Sequence, residues 1–315
     1  MGRKARIMAL AAIGYSLGRW RISDEARYPH DPSRRWTVRP RPTSWTDFVV
    51  ELWRQTDEDR LFAVAASVAF FALASFAPAL TVIVSLYGLV GDPNMVVQGI
   101  SDFGSFLPSQ VVQIAADQAV RVASQPTSAL SLKLLFGLAV ATWSTRAAVN
   151  AMFDALNVIN NRVESRSFMN LAAVALLVTF GAAVAIATAV LTIGSAPELL
   201  VTLQLSPRAA ATVLLAKWPA LFALSVVGLV VLYRVGTSGR VLHVTSLWRG
   251  ALLAALAISL TSAAFSWYVS ALGDYTATYG SLATIIVFMT WLWLSISIIL
   301  LGAEFNHVRA FMRGE

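Results

Sequence analysis

In the stretch Ala141-Thr-Trp-Ser-Thr-Arg-Ala-Ala-Val-Asn-Ala-Met-Phe-Asp154, Arg146, Asn150 and Asp154 stand four residues apart. A helix therefore carries all three on one face. The stretch is otherwise apolar, and an ionisable side chain at the centre of a bilayer costs roughly 2.5–3.5 kcal/mol on insertion scales, so such a stripe must turn towards water or a partner. A carboxylate able to serve is Glu304, in Leu301-Gly-Ala-Glu-Phe-Asn306. Two readings stand side by side. In one, Arg146 and Glu304 form a buried pair that fixes helix register; in the other, the stripe receives an anionic headgroup or works as a gating pair along a polar path.

A second polar cluster is Tyr268-Val-Ser-Ala-Leu-Gly-Asp-Tyr-Thr-Ala-Thr-Tyr-Gly-Ser281. Its tyrosines, threonines and Asp274, without a positive charge, suggest a tight hairpin. Tyr275 and Tyr279 would sit at a membrane interface, where amphipathic rings collect. Gly280 would allow a break that exposes backbone groups to a ligand, or would mark a cap at Ser281.

Other chemistries are absent from the pattern. His30, His243 and His307 lie in three separate segments with no ligand at i+4, and no P-loop, G-x-S-x-G or H-E-x-x-H occurs. With no cysteine, thiolate metal sites and thiol nucleophiles are excluded. Asp57, Glu58 and Asp59 are adjacent, so a helix points them in different directions. No cofactor, metal site or catalytic residue is expected, and nucleic acid is not expected as a partner.

These residues must be held by something, and composition says what. Of 315 residues, 57% are hydrophobic and 13% charged, with mean hydropathy +0.67. Soluble domains sit nearer 45–50% apolar and about 25% charged. The surplus apolar surface needs a non-aqueous solvent. Six stretches approach the roughly 20 residues that cross a hydrocarbon layer, at about 61–90, 130–152, 168–193, 211–233, 247–272 and 281–303. None alternates like a barrel strand, so the fold class expected is an all-α, six-helix transmembrane bundle.

Basic residues set the orientation. Residues 1–60 hold 12 of the 24 Lys and Arg. Arg162, Arg166, Arg234, Arg240, Arg249, Arg309 and Arg313 fall on that same side, against Arg121 and Arg208 opposite. The positive-inside rule then places both termini in the cytoplasm. Residues 1–44 read as a basic tail, in which Ile7–Leu17 suits a surface-lying anchor better than a cleaved signal. Residues 45–310 read as the membrane domain and 311–315 as a short C-terminal tail.

Further helices are expected outside the spans. Trp45, Phe48, Val49, Leu52 and Trp53 recur at helical spacing opposite Asp47, Glu51 and Arg54, an amphipathic interfacial element. Two short amphipathic helices are expected in the outer segment 91–129, one around Val96–Phe106 and one from Val111. Asp59 precedes the first span, where its carboxylate favours the helix dipole. Pro78 can kink that span. Gly181, with Ala185 and Ala189, forms a ridge of small residues that permits close helix contact.

Taken together, Asp57-Glu-Asp-Arg60 leading to Pro78, Thr145–Asn150 with Asp154, Leu232-Tyr-Arg234, Tyr279-Gly-Ser-Leu282 and Gly302-Ala-Glu-Phe-Asn306 resemble the YihY/BrkB family of bacterial inner-membrane proteins, from about residue 45 to 310. The tail 1–44 lies outside the shared pattern. The resemblance implies six spans with cytoplasmic termini, Gly302 as a structural position, and a role in the cell envelope that includes suspected transport of lipids or lipid-like molecules. It leads to a protein that moves lipids or amphiphiles past Arg146, Asn150, Asp154 and Glu304, with Tyr275 and Tyr279 at the outer mouth. The alternative is a non-transporting scaffold for an envelope protein. Membrane lipids are the expected partners, and a second copy of the chain is a candidate. The family has also carried the label ribonuclease BN, but phosphodiester cleavage needs a metal clamp or a positioned acid/base pair that the sequence does not offer.

Overall fold

The computed structural model describes residues 44–88, 109–123, 146–194, 207–239, 244–272 and 282–313. Every described element is helical. They are α1 (Trp45–Glu58), α2 (Leu61–Gly88), α3 (Ser109–Ala123), α4 (146–159), α5 (Phe168–Gly194), α6 (Pro207–Gly236), α7 (Val244–Leu272) and α8 (Leu282–Arg313). All belong to one compact unit, residues 42–315. The centre is α8, which packs against α7, α2, α1 and α3, while α6 lies on α7 and α5 on α6.

Local sequence explains where α1 begins. Ser44 Oγ accepts from the Asp47 amide at 3.1 Å, and Asp47 Oδ2 accepts from the Ser44 amide at 3.1 Å. This capping box satisfies two amides that a helix start leaves without partners. The side of α1 that packs on protein is not the whole apolar stripe. Trp45, Val49 and Trp53 are exposed, and the packed face runs Phe48, Gln55, Thr56 and Asp59. Phe48 meets the Phe305 ring edge-on at 5.2 Å between centroids, so tertiary contact with α8 selects the side.

The chain then bends by 55° between α1 and α2. Asp59 is the C-cap of α1 and is buried, and Arg60 takes a left-handed φ of 49°. The α2 backbone stays helical through Pro78 to Gly88.

Three helices among the described residues are long and apolar enough to cross a membrane: Trp218–Gly236, Ser246–Val269 and Leu282–Arg313. The bent pair formed by α1 and Leu61–Phe76 qualifies jointly as a fourth. The six-span expectation extends to residues 130–145, outside the described set. Only 17% of the Trp218–Gly236 window and 22% of Ser246–Val269 are buried. Such bare apolar walls are stable only in a non-aqueous surrounding.

Two helices outrun the hydropathy signal. The last one continues ten residues beyond Ala303 to Arg313, and its extension buries Asn306, Val308 and Ala310. The helix at 146 continues past Met152 to 159, burying Phe153, Leu156 and Ile159. In both, packing against neighbours rather than lipid holds the added turns, as tertiary contact commonly does for short helical segments.

Small residues set the closest helix approach. A methyl group added at Gly302 would lie 2.6 Å from the Tyr233 hydroxyl, 2.7 Å from the Gly250 carbonyl oxygen and 2.8 Å from the Ala254 methyl. The ridge expected around Gly181 is different: Gly181 is exposed, and among the described residues nothing lies within 4 Å of such a methyl. The close contact belongs to α7 and α8.

Candidate functional site

Arg146 stands at the first described turn of α4. Its guanidinium carbon is 4.4 Å from the centroid of Phe168, the residue that opens α5. The cation lies on an aromatic face, an arrangement worth about 0.5–1 kcal/mol at exposed sites, beside the start of the neighbouring helix. Glu304 is fully buried in α8.

Asn150 follows one turn later and is half-buried. Its Oδ1 is buried with no hydrogen-bond partner among the described residues. Asp154, a further turn on, is exposed. The stripe therefore runs from a ring-covered cation, past an amide with an open acceptor, to an exposed carboxylate. Tyr275, Tyr279 and Gly280 lie outside the described residues, as does the Val96–Phe106 segment. The side chain of Pro78 is outside them too.

The C-terminal end of α4 builds a polar knot that sequence reasoning did not single out. Asn157, wholly buried, donates from Nδ2 to Glu164 Oε2 at 3.0 Å and accepts the Ser238 amide at Oδ1 at 2.7 Å. Arg166 pairs with both oxygens of Glu164, through Nε and Nη2 at 2.8 Å each. Its remaining donors reach the Val235 carbonyl at 2.8 Å and the Gly236 carbonyl at 3.1 Å. These are the last carbonyls of α6, which lack partners within the helix and sit at its negative end. An arginine is suited to the task, since one planar fork serves a carboxylate and two carbonyls together.

Burial alone would raise the Glu164 carboxyl. The side-chain and backbone hydrogen bonds from Arg166, its charge, and the Asn157 amide outweigh that and hold the group down to about 2. Ser165 and Ser238 join by their hydroxyls at 2.9 Å, and Asn160 Nδ2 reaches Thr237 Oγ1 at 3.2 Å. The knot ties α4, its following loop and the end of α6 into one block.

The same end of the bundle holds a second set of bonds. Asn306 Oδ1 accepts from the Gly250 amide at 2.9 Å, and its Nδ2 donates to the Leu247 carbonyl at 2.9 Å. Tyr233 donates its hydroxyl to the Ile299 carbonyl at 2.7 Å. Asn161 Nδ2 and His307 Nε2 are 3.4 Å apart. Tyr233, from the Leu232-Tyr-Arg234 motif, thus meets Gly302 and Asn306 of the Gly302-Ala-Glu-Phe-Asn306 motif here. A faint sequence signal existed for the knot: Asn157, Asn160 and Asn161 cluster at a helix end just before Glu164 and Arg166. Among the described residues no group of three or more His, Asp or Glu could hold a metal ion.

Comparison with known proteins places these motifs. The sequence model of the family described as Virulence factor BrkB matches residues 52–314. The putative ribonuclease-like protein YfkH of Bacillus subtilis is 31% identical over 177 residues, covering 55% of this chain and 64% of that protein. A UPF0761 membrane protein of Histophilus somni is 41% identical over 64 residues, 20% of this chain and 22% of its own. Another, from Pseudoalteromonas translucida, is 37% identical over 83 residues, 26% and 27% respectively. The chain thus spans less than two thirds of the length of the curated relatives it matches. No solved structure matches it. With a match across 52–314 and apolar helices able to span a bilayer, the chain belongs to the Virulence factor BrkB family of membrane proteins.

Proposed function

We propose that this protein crosses the cell inner membrane six times, with both termini in the cytoplasm, and moves lipids or other amphiphiles along a polar path between its helices. Arg146, Asn150 and Asp154 line that path, with Glu304 deeper in the bundle and Tyr275 and Tyr279 at the outer mouth. One observation carries the reading: the buried Oδ1 of Asn150 has no hydrogen-bond partner among the described residues, and it lies between a cation and a carboxylate on one helix face. A buried acceptor left open costs about 1–3 kcal/mol, and a passing headgroup with N–H or O–H donors would satisfy it. The distribution of Lys and Arg supports the orientation. The α1 side bearing exposed Trp45, Val49 and Trp53 suits an interfacial position.

The test is lipid movement in vesicles reconstituted with the full chain. A fluorescent phospholipid placed in both leaflets is quenched from outside by a reductant that cannot cross. Wild type should expose nearly all of the label, and Arg146→Ala should leave the inner half protected while eluting as a folded species. Equal exchange by wild type and variant counts against the path. Absence of exchange by wild type leaves the scaffold reading in its place.

A further inference from the structure

At the elbow between α1 and α2 lies an open cleft of about 340 Å³, at the small end of the ~300–1,000 Å³ of ligand sites. Trp53, Thr56, Asp57 and Arg60 line one side, Phe62 and Ala63 the other. Among the described residues the side chains of Asp57 and Arg60 make no hydrogen bond or ion pair. Their neighbours do: Arg54 pairs with both Glu51 and Glu58 along α1. The cleft is therefore left with one exposed cation and one exposed anion.

The backbone at this point is unusual. Arg60 holds φ at 49°, a conformation in which glycine is the easier residue. Strain retained in an exposed turn points to use of the side chain it carries. The walls are anchored as well. Trp293 Nε1 donates to the Phe62 carbonyl at 3.0 Å, and the two rings lie 6.1 Å apart. Below the cleft, α2 continues with exposed Phe62, Ala66 and Phe70, one turn apart.

We propose that the elbow binds the headgroup of a zwitterionic phospholipid with a primary amine. The phosphate sits on the Arg60 guanidinium, a charge-assisted pairing. The ammonium lies between the Asp57 carboxylate and the face of Trp53, which is 72% exposed and offers a cation–π partner. The acyl chains run down the Phe62–Phe70 side of α2. A headgroup with the phosphate but no ammonium, such as that of phosphatidylglycerol, leaves the Asp57 carboxylate without a cation and close to the phosphate charge, so the site discriminates by charge pattern as well as by phosphate. This deepens the lipid reading above and rests on it for the position of the chain in a bilayer.

The experiment is native mass spectrometry of the delipidated full chain in detergent, titrated with palmitoyl-oleoyl phosphatidylethanolamine or phosphatidylglycerol. Wild type should retain phosphatidylethanolamine several-fold more tightly. Arg60→Gln should weaken both lipids about tenfold, and Asp57→Asn should level the two. Arg60→Gly relieves the backbone while deleting the guanidinium; it should match or exceed wild-type thermostability yet lose lipid to the same extent. Equal binding of both lipids by wild type, or unchanged binding in these variants, overturns the proposal. So does displacement of the lipid by an equal concentration of soluble glycerophosphoethanolamine, which would assign the site to a water-borne ligand. The vesicle assay separates the two claims. Exchange that persists without elbow binding removes only the elbow, while selective elbow binding without exchange removes only the path.

Discussion

The contact between α7 and α8 makes a quantitative prediction at Gly302. Ordinary van der Waals contact begins near 3.4 Å, so a methyl at this position falls short by 0.8 Å at the Tyr233 hydroxyl, 0.7 Å at the Gly250 carbonyl and 0.6 Å at the Ala254 methyl. Two of these three neighbours are a backbone atom and a methyl attached directly to backbone. Neither can swing aside, so the helices must separate or Tyr233 must leave the Ile299 carbonyl. Overpacking of this kind costs ~1–3 kcal/mol, and losing the tyrosine bond adds about 1 kcal/mol. Better helix propensity returns roughly 0.8–1.0 kcal/mol. Gly302→Ala should therefore destabilise by ~1–3 kcal/mol, lowering Tm by roughly 2–4 °C per kcal/mol in a chain of this size. Thermal unfolding of wild type and variant in the same detergent at one scan rate measures it. Gly181→Ala is the control: nothing among the described residues lies within 4 Å of the added methyl, so its Tm should hold or rise. Tyr233→Phe combined with Gly302→Ala should recover part of the loss, because one of the three short contacts disappears and the two sites are coupled. A Gly302→Ala protein as stable as wild type, or a Gly181→Ala protein that loses as much, would refute the reasoning.

Other outcomes follow from the knot. Arg166→Gln removes the partner of Glu164 and the bonds to the last carbonyls of α6; at ~1.5–3 kcal/mol for hydrogen bonds to a charged group, it should speed hydrogen exchange across residues 233–238 more than in the bundle centre. The Glu164 carboxyl titrates at about 2 in the folded protein against 4.5 without its surroundings. Its contribution is therefore complete above pH 4.5 and drains as pH falls towards 2. Unfolding of wild type should steepen over that window, and that of Glu164→Gln should be flatter there. Asn306→Leu leaves the Gly250 amide and Leu247 carbonyl without their side-chain partners, at about 1–3 kcal/mol for each group not re-paired; a Tm drop of several degrees should accompany faster exchange at Gly250.

Much of the helical framework was legible because its signal is local. The starts of α2, α5, α7 and α8 fall within three residues of the hydropathy boundaries, and Ser44 with Asp47 marks the start of α1 by capping chemistry alone. Charges resisted the same treatment. For Arg146, sequence shows only that a carboxylate exists elsewhere; it does not show that the chain turns back after 161 and brings Phe168 beneath the guanidinium. The role of Arg166 was hidden for a similar reason. Read along the chain it is one more basic residue in a loop, and its ligands Val235 and Gly236 are backbone carbonyls some 70 residues away.

Sequence by itself determined the solvent and the periodicity: too much apolar surface for water, helical rather than strand spacing, and a polar stripe on the face of one helix. Composition and spacing suffice for these because transfer free energy and the 3.6-residue repeat are properties of single segments. Tertiary structure decided which side of α1 is covered, how far α4 and α8 continue, and which glycines allow helices to touch. It also decided that Asn157, Glu164, Arg166 and Ser238 form one knot. Each of these depends on atoms brought together from distant parts of the chain, where the energy of a buried polar group or a close contact is set by its neighbours.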